Sequence, residues 1–168
     1  KEEFENNFLE YSSLPSCSIE NLEISVSDDK PEATLNYKVQ IPKYGSKAGS
    51  RLFLPINCSN TFQNVPPNLK ERKNPVVVKR GYVEEDEIIM ELPEGYHVES
   101  IPEETMNLES EYGEYSMSIQ REPNKLIYHR KLKILPVDLP AEQYHDLRDF
   151  YKKISKADKM KVVLVNKS

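Results

Sequence analysis

Tryptophan is missing from this chain, glycine occurs only five times and cysteine twice. Each scarcity closes off a class of protein. Two thiols, Cys17 and Cys58, are too few for a disulfide scaffold and lack the paired spacing of a zinc site. The few glycines form no phosphate-cradling loop. No stretch approaches the ~20 apolar residues of a membrane-spanning helix. Charge of one sign is not concentrated either: 23 basic and 28 acidic residues are mixed along the chain for a net charge of -5. A nucleic-acid footprint needs Lys and Arg clustered on one face, so that partner is excluded. The basic run Lys70-Glu71-Arg72-Lys73 is short, interrupted by an acid, and reads as a solvated loop.

What is present is a chain of 168 residues, enough for one domain with a core that needs no metal or disulfide. It starts at Lys1 without a methionine, as a processed or trimmed product does. Residues 1–14 stand apart as an arm or stem. There Phe4, Phe8 and Tyr11 recur at helical spacing, and Leu14-Pro15-Ser16 breaks the pattern. From residue 15 onward the period becomes two. Leu22, Ile24 and Val26 alternate with polar residues, a turn at Asp28-Asp29-Lys30-Pro31 follows, and Ala33, Leu35, Tyr37, Val39 and Ile41 alternate again. Such alternation predicts strands with one face in a core and one in water. Further strands are predicted around Arg51–Ile56, Val76–Val78, Ile88–Leu92, Tyr96–Val98 and Tyr115–Ile119. Pro123-Asn124 turns the chain into another, Lys125–Leu135. Pro55 should place its strand at an edge or on a bulge, because it cannot donate to a ladder.

On the strand from Lys125, Leu126, Tyr128, Leu132 and Ile134 share a face with Arg130. An arginine in that company requires a carboxylate or several carbonyls beside it. One helix is predicted over about residues 140–156, where Tyr144, Leu147, Tyr151 and Ile154 form a stripe, acids lie early and lysines late. A last strand follows at Met160–Val165. The sum is a mainly β fold: an antiparallel β-sandwich of immunoglobulin-like shape over residues 15–168, with one C-terminal amphipathic helix and a final strand.

Chemistry-bearing residues are sparse. Nucleophilic catalysis needs a thiol or hydroxyl beside an oriented imidazole. Cys17 and Cys58 flank strands rather than a helix N-terminus, and His97, His129 and His145 are scattered. No catalytic residue, metal ligand or cofactor site is assigned. Cys17 and Cys58 could pair as a disulfide in an oxidising compartment if their strand ends lie side by side. Glu84-Glu85-Asp86-Glu87 reads as a charged turn rather than a calcium loop. Asn57-Cys58-Ser59 matches a glycosylation sequon. Of the ten tyrosines, Tyr37, Tyr115, Tyr128, Tyr144 and Tyr151 occupy apolar stripes and are assigned to packing. Tyr44, Tyr82, Tyr96 and Tyr112 lie near turns. With Phe4 and Phe8 they are the candidate contact residues, for a protein surface or a glycan.

The order of segments adds to this. Arg51-Leu52-Phe53-Leu54-Pro55-Ile56-Asn57 is followed by Asp86-Glu87-Ile88 and by the stretch Leu92-Pro93-Glu94-Gly95-Tyr96-His97-Val98-Glu99-Ser100-Ile101-Pro102. Next come Leu108-Glu109-Ser110-Glu111-Tyr112-Gly113-Glu114-Tyr115, the segment from Pro140 through Tyr151, and Ala157-Asp158. Together these resemble the uncharacterised C-terminal β domain of transglutaminase-like exported proteins of Bacteroidetes. The resemblance implies a periplasmic or surface location and a catalytic Cys-His-Asp domain upstream, none of whose motifs occurs here. It therefore implies a non-catalytic accessory domain that packs against or spaces its neighbour. A free-standing glycan- or peptide-binding module is the alternative, and a small hydrolase a third reading.

Overall fold

A computed structural model describes residues 17–29 and 32–166. Phe4 and Phe8 lie outside the described residues. The strands are β1 (Ser18–Val26), β2 (Ala33–Gln40), β3 (Ser46–Ala48), β4 (Arg51–Pro55), β5 (Val76–Val78) and β6 (Tyr82–Glu91). They continue as β7 (Tyr96–Ser100), β8 (Thr105–Ser110), β9 (Gly113–Glu122), β10 (Lys125–Ile134) and β11 (Val137–Leu139). Helix α1 (Tyr144–Asp158) precedes β12 (Lys161–Asn166). The pairings are antiparallel throughout. Two four-stranded sheets run in the orders β6-β10-β9-β8 and β3-β4-β12-β7, and two-stranded pairs form from β1-β2 and β5-β11.

One core unites these parts. Tyr115, Met117 and Ile119 of β9, Leu126, Tyr128, Leu132 and Ile134 of β10, and Val162 and Leu164 of β12 are buried with Leu147, Phe150 and Ile154 of α1. Leu52 and Leu54 of β4 and Val98 of β7 pack against the same cluster, so both large sheets line it. This is the expected antiparallel sandwich with its late helix and closing strand. The inward face predicted for β10 is the one that the structure buries. Every second residue of β10 from Leu126 to Ile134 is buried, Arg130 included. The two-residue connection Pro123-Asn124 joins β9 to β10 as expected, and the Asn124 carbonyl accepts the Leu92 amide at 2.8 Å.

Four local expectations need correction. The helix begins at Tyr144 rather than near 140: Pro140 is extended, and Ala141–Gln143 form a single 3-10 turn before the α-helix proper. Pro55 is not on an edge strand, since β4 lies between β3 and β12. Its missing donor is harmless because β3 pairs with β4 only from Arg51 to Phe53, leaving Pro55 beyond the end of that ladder. The acidic run 84–87 is not a turn but the middle of β6. Alternation sends Glu84 and Asp86 toward Arg130, while Glu85 and Glu87 meet Lys131 and His129 on the other face.

The fourth correction concerns β1 and β2. They form the predicted hairpin, with a bulge between Glu20 and Glu23 where Asn21 adopts a positive φ of 54°. Asparagine tolerates that conformation better than most residues. But the apolar face is not buried by the described residues. Ile24 pairs with Leu35 and Val26 with Ala33, and Ile24 and Val26 are 57% and 72% exposed. Tyr37, assigned to packing by its spacing, is exposed as well. Periodicity shows that a face is apolar; it does not say what covers it.

Candidate functional site

The chemistry of this molecule gathers around Arg130. Its position on β10 points it inward among Tyr128 and Leu132, so its guanidinium must be fully matched. Asp158, the last residue of α1, supplies a two-pronged contact, with Arg130 Nε to Oδ1 at 3.0 Å and Nη2 to Oδ2 at 3.1 Å. Nη1 donates to Asp86 at 2.8 Å and to Glu84 at 3.1 Å. The three carboxylates hold the guanidinium charged, against the opposing effect of burial. Asp158 is completely buried and also accepts the Tyr115 hydroxyl at 2.9 Å and the Phe62 backbone amide at 2.8 Å. Four donors thus fill the approximately four lone-pair sites of one carboxylate. Tyr128 Oη is buried nearby, close to the Tyr115 hydroxyl. Burial, with the negative Asp158 close by, pushes its pKa up to about 12.

This network also fixes the loop that follows β4. Asp158 grips it at Phe62, and Asn57 grips it two residues earlier, at Asn60. The buried Asn57 amide accepts the Asn60 amide hydrogen at 3.0 Å and donates to the Asn60 carbonyl at 2.9 Å. Further along, Tyr144 donates to the Pro67 carbonyl at 2.6 Å and Arg148 to that of Pro66 at 3.0 Å. Arg72 lies 4.7 Å from the centre of the Tyr144 ring. The long proline-rich loop is therefore strapped along α1. Between its pinned part and the start of β6 opens a cleft of about 320 Å³, lined by residues 60–64 with Tyr82 and Glu84.

A second concavity, of about 560 Å³, lies over the outer face of the β6-β10-β9-β8 sheet. Two polar rows cross all four strands there. Asn107, Ser116, Lys131 and Glu85 make one, and Thr105, Ser118, His129 and Glu87 the other. Side chains in these rows are paired across strands: Lys131 with Glu85, and His129 with Glu87 at 3.4 Å. Cross-strand pairing of this kind is the ordinary dressing of a solvated sheet face.

The family of unknown function designated DUF3858, described as a domain with a solved structure, matches residues 50–164, more than half of the chain. The chain belongs to this family. No curated protein and no solved structure matches it. The stretch shared with DUF3858 contains the β6-β10-β9-β8 sheet, most of the other large sheet, the helix, the Arg130 network and the cleft, while the β1–β2 hairpin and β3 precede it.

In this DUF3858 domain the four turn tyrosines meet different fates. Tyr82 is 40% exposed and lines the cleft. Tyr112 is only 5% exposed and packs against Phe150, so it cannot serve external contact; its turn is folded back over the helix. Tyr96 packs partly buried against the core. Tyr44 is half-buried and donates to the Pro55 carbonyl at 2.6 Å, which commits its hydroxyl to the fold. Cys17 and Cys58 are free thiols rather than a pair. Burial raises the Cys58 pKa, the opposite of an activated thiolate. The sequon is closed, because the Asn57 side chain is buried and hydrogen-bonded within its own loop. Among the described residues no cluster of His, Cys, Asp and Glu could hold a metal ion, and no helix is long and apolar enough to cross a membrane.

Sequence reasoning found Arg130 and its need for a carboxylate or several carbonyls. It missed Asp158, Asp86, Glu84 and Asn57, each far from Arg130 in the chain. Asp158 carried one usable signal: an acid closing a helix opposes the helix dipole and needs a compensating partner.

Proposed function

We propose that this chain is a non-catalytic accessory domain of an exported, transglutaminase-like protein, seated against a catalytic neighbour through the β1–β2 hairpin. The observation that carries the reading is the apolar side of that hairpin, where Ile24, Val26 and Leu35 are exposed together. A two-stranded hairpin is marginal in water without something to pack on. Covering each of those side chains contributes up to about 1.5–3 kcal/mol, which is ample to hold two domains in register. The segment order that resembles the C-terminal β domain of such proteins supports the identity of the neighbour. The raised pKa of the half-buried Cys58 thiol supports the absence of an activated nucleophile from this part.

The test uses the whole reading frame. Hydrogen exchange is measured on the hairpin amides in the complete protein and in the 168-residue chain. The reading expects strong protection only in the former, lost in an Ile24→Lys/Leu35→Lys variant. Equal exchange in both forms, or a reading frame without a catalytic neighbour, refutes it.

A further inference from the structure

The cleft between the pinned loop and the start of β6 has no part in that docking role. We infer that it is a saccharide-binding site, with Tyr82 as the stacking platform and the amides and carboxylate around it as partners for ring hydroxyls. Three observations carry this. The first is the chemistry of the lining. Asn60, Thr61, Gln63, Asn64 and Glu84 surround one half-exposed tyrosine ring. A sugar offers apolar C–H groups on the face of its ring and hydroxyls around its edge, which an aromatic plane bordered by amide and carboxylate groups matches. Gln63 and Asn64 are exposed, and among the described residues their side-chain amides are not used by the fold. The Asn60 amide reaches Asp86 only at 3.4 Å, a long contact that a hydroxyl can displace.

The second observation is rigidity. A loop that merely crossed the surface would need no internal anchors. This one is held from below at Asn60 by Asn57 and at Phe62 by Asp158, two side chains that are both almost fully buried. Phe62 adds an edge-on contact with Tyr151 of α1, ring centres 5.1 Å apart. Holding recognition groups in place before the ligand arrives lowers the ordering cost of binding.

The third is charge and size. No Lys or Arg lines the cleft, and the nearby Arg130 is already matched by three carboxylates. Anions such as phosphates and acidic sugars are therefore disfavoured beside Glu84, and neutral sugars are selected. At about 320 Å³ the cleft sits at the small end of ligand sites, which span roughly 300–1,000 Å³. One or two sugar rings is the corresponding occupant, as at the end or along the edge of a longer glycan.

The experiment is a nitrogen-15 NMR titration of the 168-residue chain with neutral probes: glucose, galactose, mannose, N-acetylglucosamine, maltose, cellobiose and xylobiose, each to high millimolar concentration. At least one probe is expected to give saturable shifts centred on Asn60, Gln63, Asn64, Tyr82 and Glu84. Tyr82→Ala should weaken that probe about tenfold or more, while Tyr82→Phe keeps the platform and stays within about threefold of the parent. Should Tyr82→Ala fail to fold, Asn64→Ala on the exposed loop carries the same test, with a several-fold loss expected. Ile24→Lys, in the hairpin, should leave the titration unchanged, so failure of the docking role and failure of this site are separable. Absence of saturable shifts at these residues with every probe overturns the inference. So does a titration that Tyr82→Ala and Asn64→Ala both leave intact.

Discussion

Asp158 closes a helix where a carboxylate is electrostatically misplaced, and it is tolerated there only because four donors converge on it. Removing one member of a buried charge pair strands the other, at a cost of about 3–5 kcal/mol. Asp158→Ala should therefore lower stability by about that amount in chemical denaturation at neutral pH. Adding Arg130→Met to it should cost less than the sum of the two single changes, because the stranded charge is then gone. The tyrosines give a pH prediction. Full burial of Tyr128, and the partial covering of the half-exposed Tyr82 beside Glu84, push both pKa values up to about 12, against about 10 in an unfolded chain. The folded state thus holds these protons more tightly. The resulting stabilisation is complete below about pH 10 and is lost as the pH rises through about 12. Absorbance at 295 nm and circular dichroism, followed together, should show the exposed tyrosines ionising first and the buried Tyr128 together with unfolding. Arg130 was legible from its apolar neighbours on β10. Its partners were not, because a strand pattern states that a charge needs company without naming residues 28 to 46 positions away.

Among the elements, β10 was legible to within a residue and β9 at its centre, Tyr115–Ile119 of Gly113–Glu122, because alternation and a two-residue turn both fix the register. Gly113, where β9 begins, has φ of 151°, and a Cβ there would run into the Lys133 carbonyl of β10. Gly113→Ala should destabilise the protein by roughly 2 kcal/mol or more, read as a lower midpoint of denaturation. The acidic stretch of β6 was illegible for the opposite reason. Local composition favours a turn, and only cross-strand partners on β10 make four consecutive acids acceptable in a ladder. The hairpin β1–β2 was legible as strands and illegible as surface. In the isolated chain its amides should exchange faster than those of β9 and β10, whose bonds lie beneath a packed core. Hydrogen-exchange mass spectrometry, peptide by peptide, gives that ranking directly.

At the scale of the molecule, both large sheets and the helix drain into one cluster, so the body should unfold in a single cooperative transition. Leu147→Ala, in the middle of α1 and almost wholly buried, should lower the stability of the entire body by about 2–5 kcal/mol rather than loosen the helix alone. Coincident melting curves from far-ultraviolet dichroism and tyrosine fluorescence test this; separate curves count against it. The mainly β class, the late helix and the closing strand could be read from periodicity because each is a local pattern. The cleft could not, since its floor is assembled from a loop, an edge strand and the far end of a helix. That assembly sets an order in time. Asp158, which clamps Phe62, lies 96 residues further along the chain, so residues 60–64 leave the ribosome long before anything exists to shape them. Until α1 has left the exit tunnel, the nascent chain carries every lining side chain of the cleft and yet no cleft.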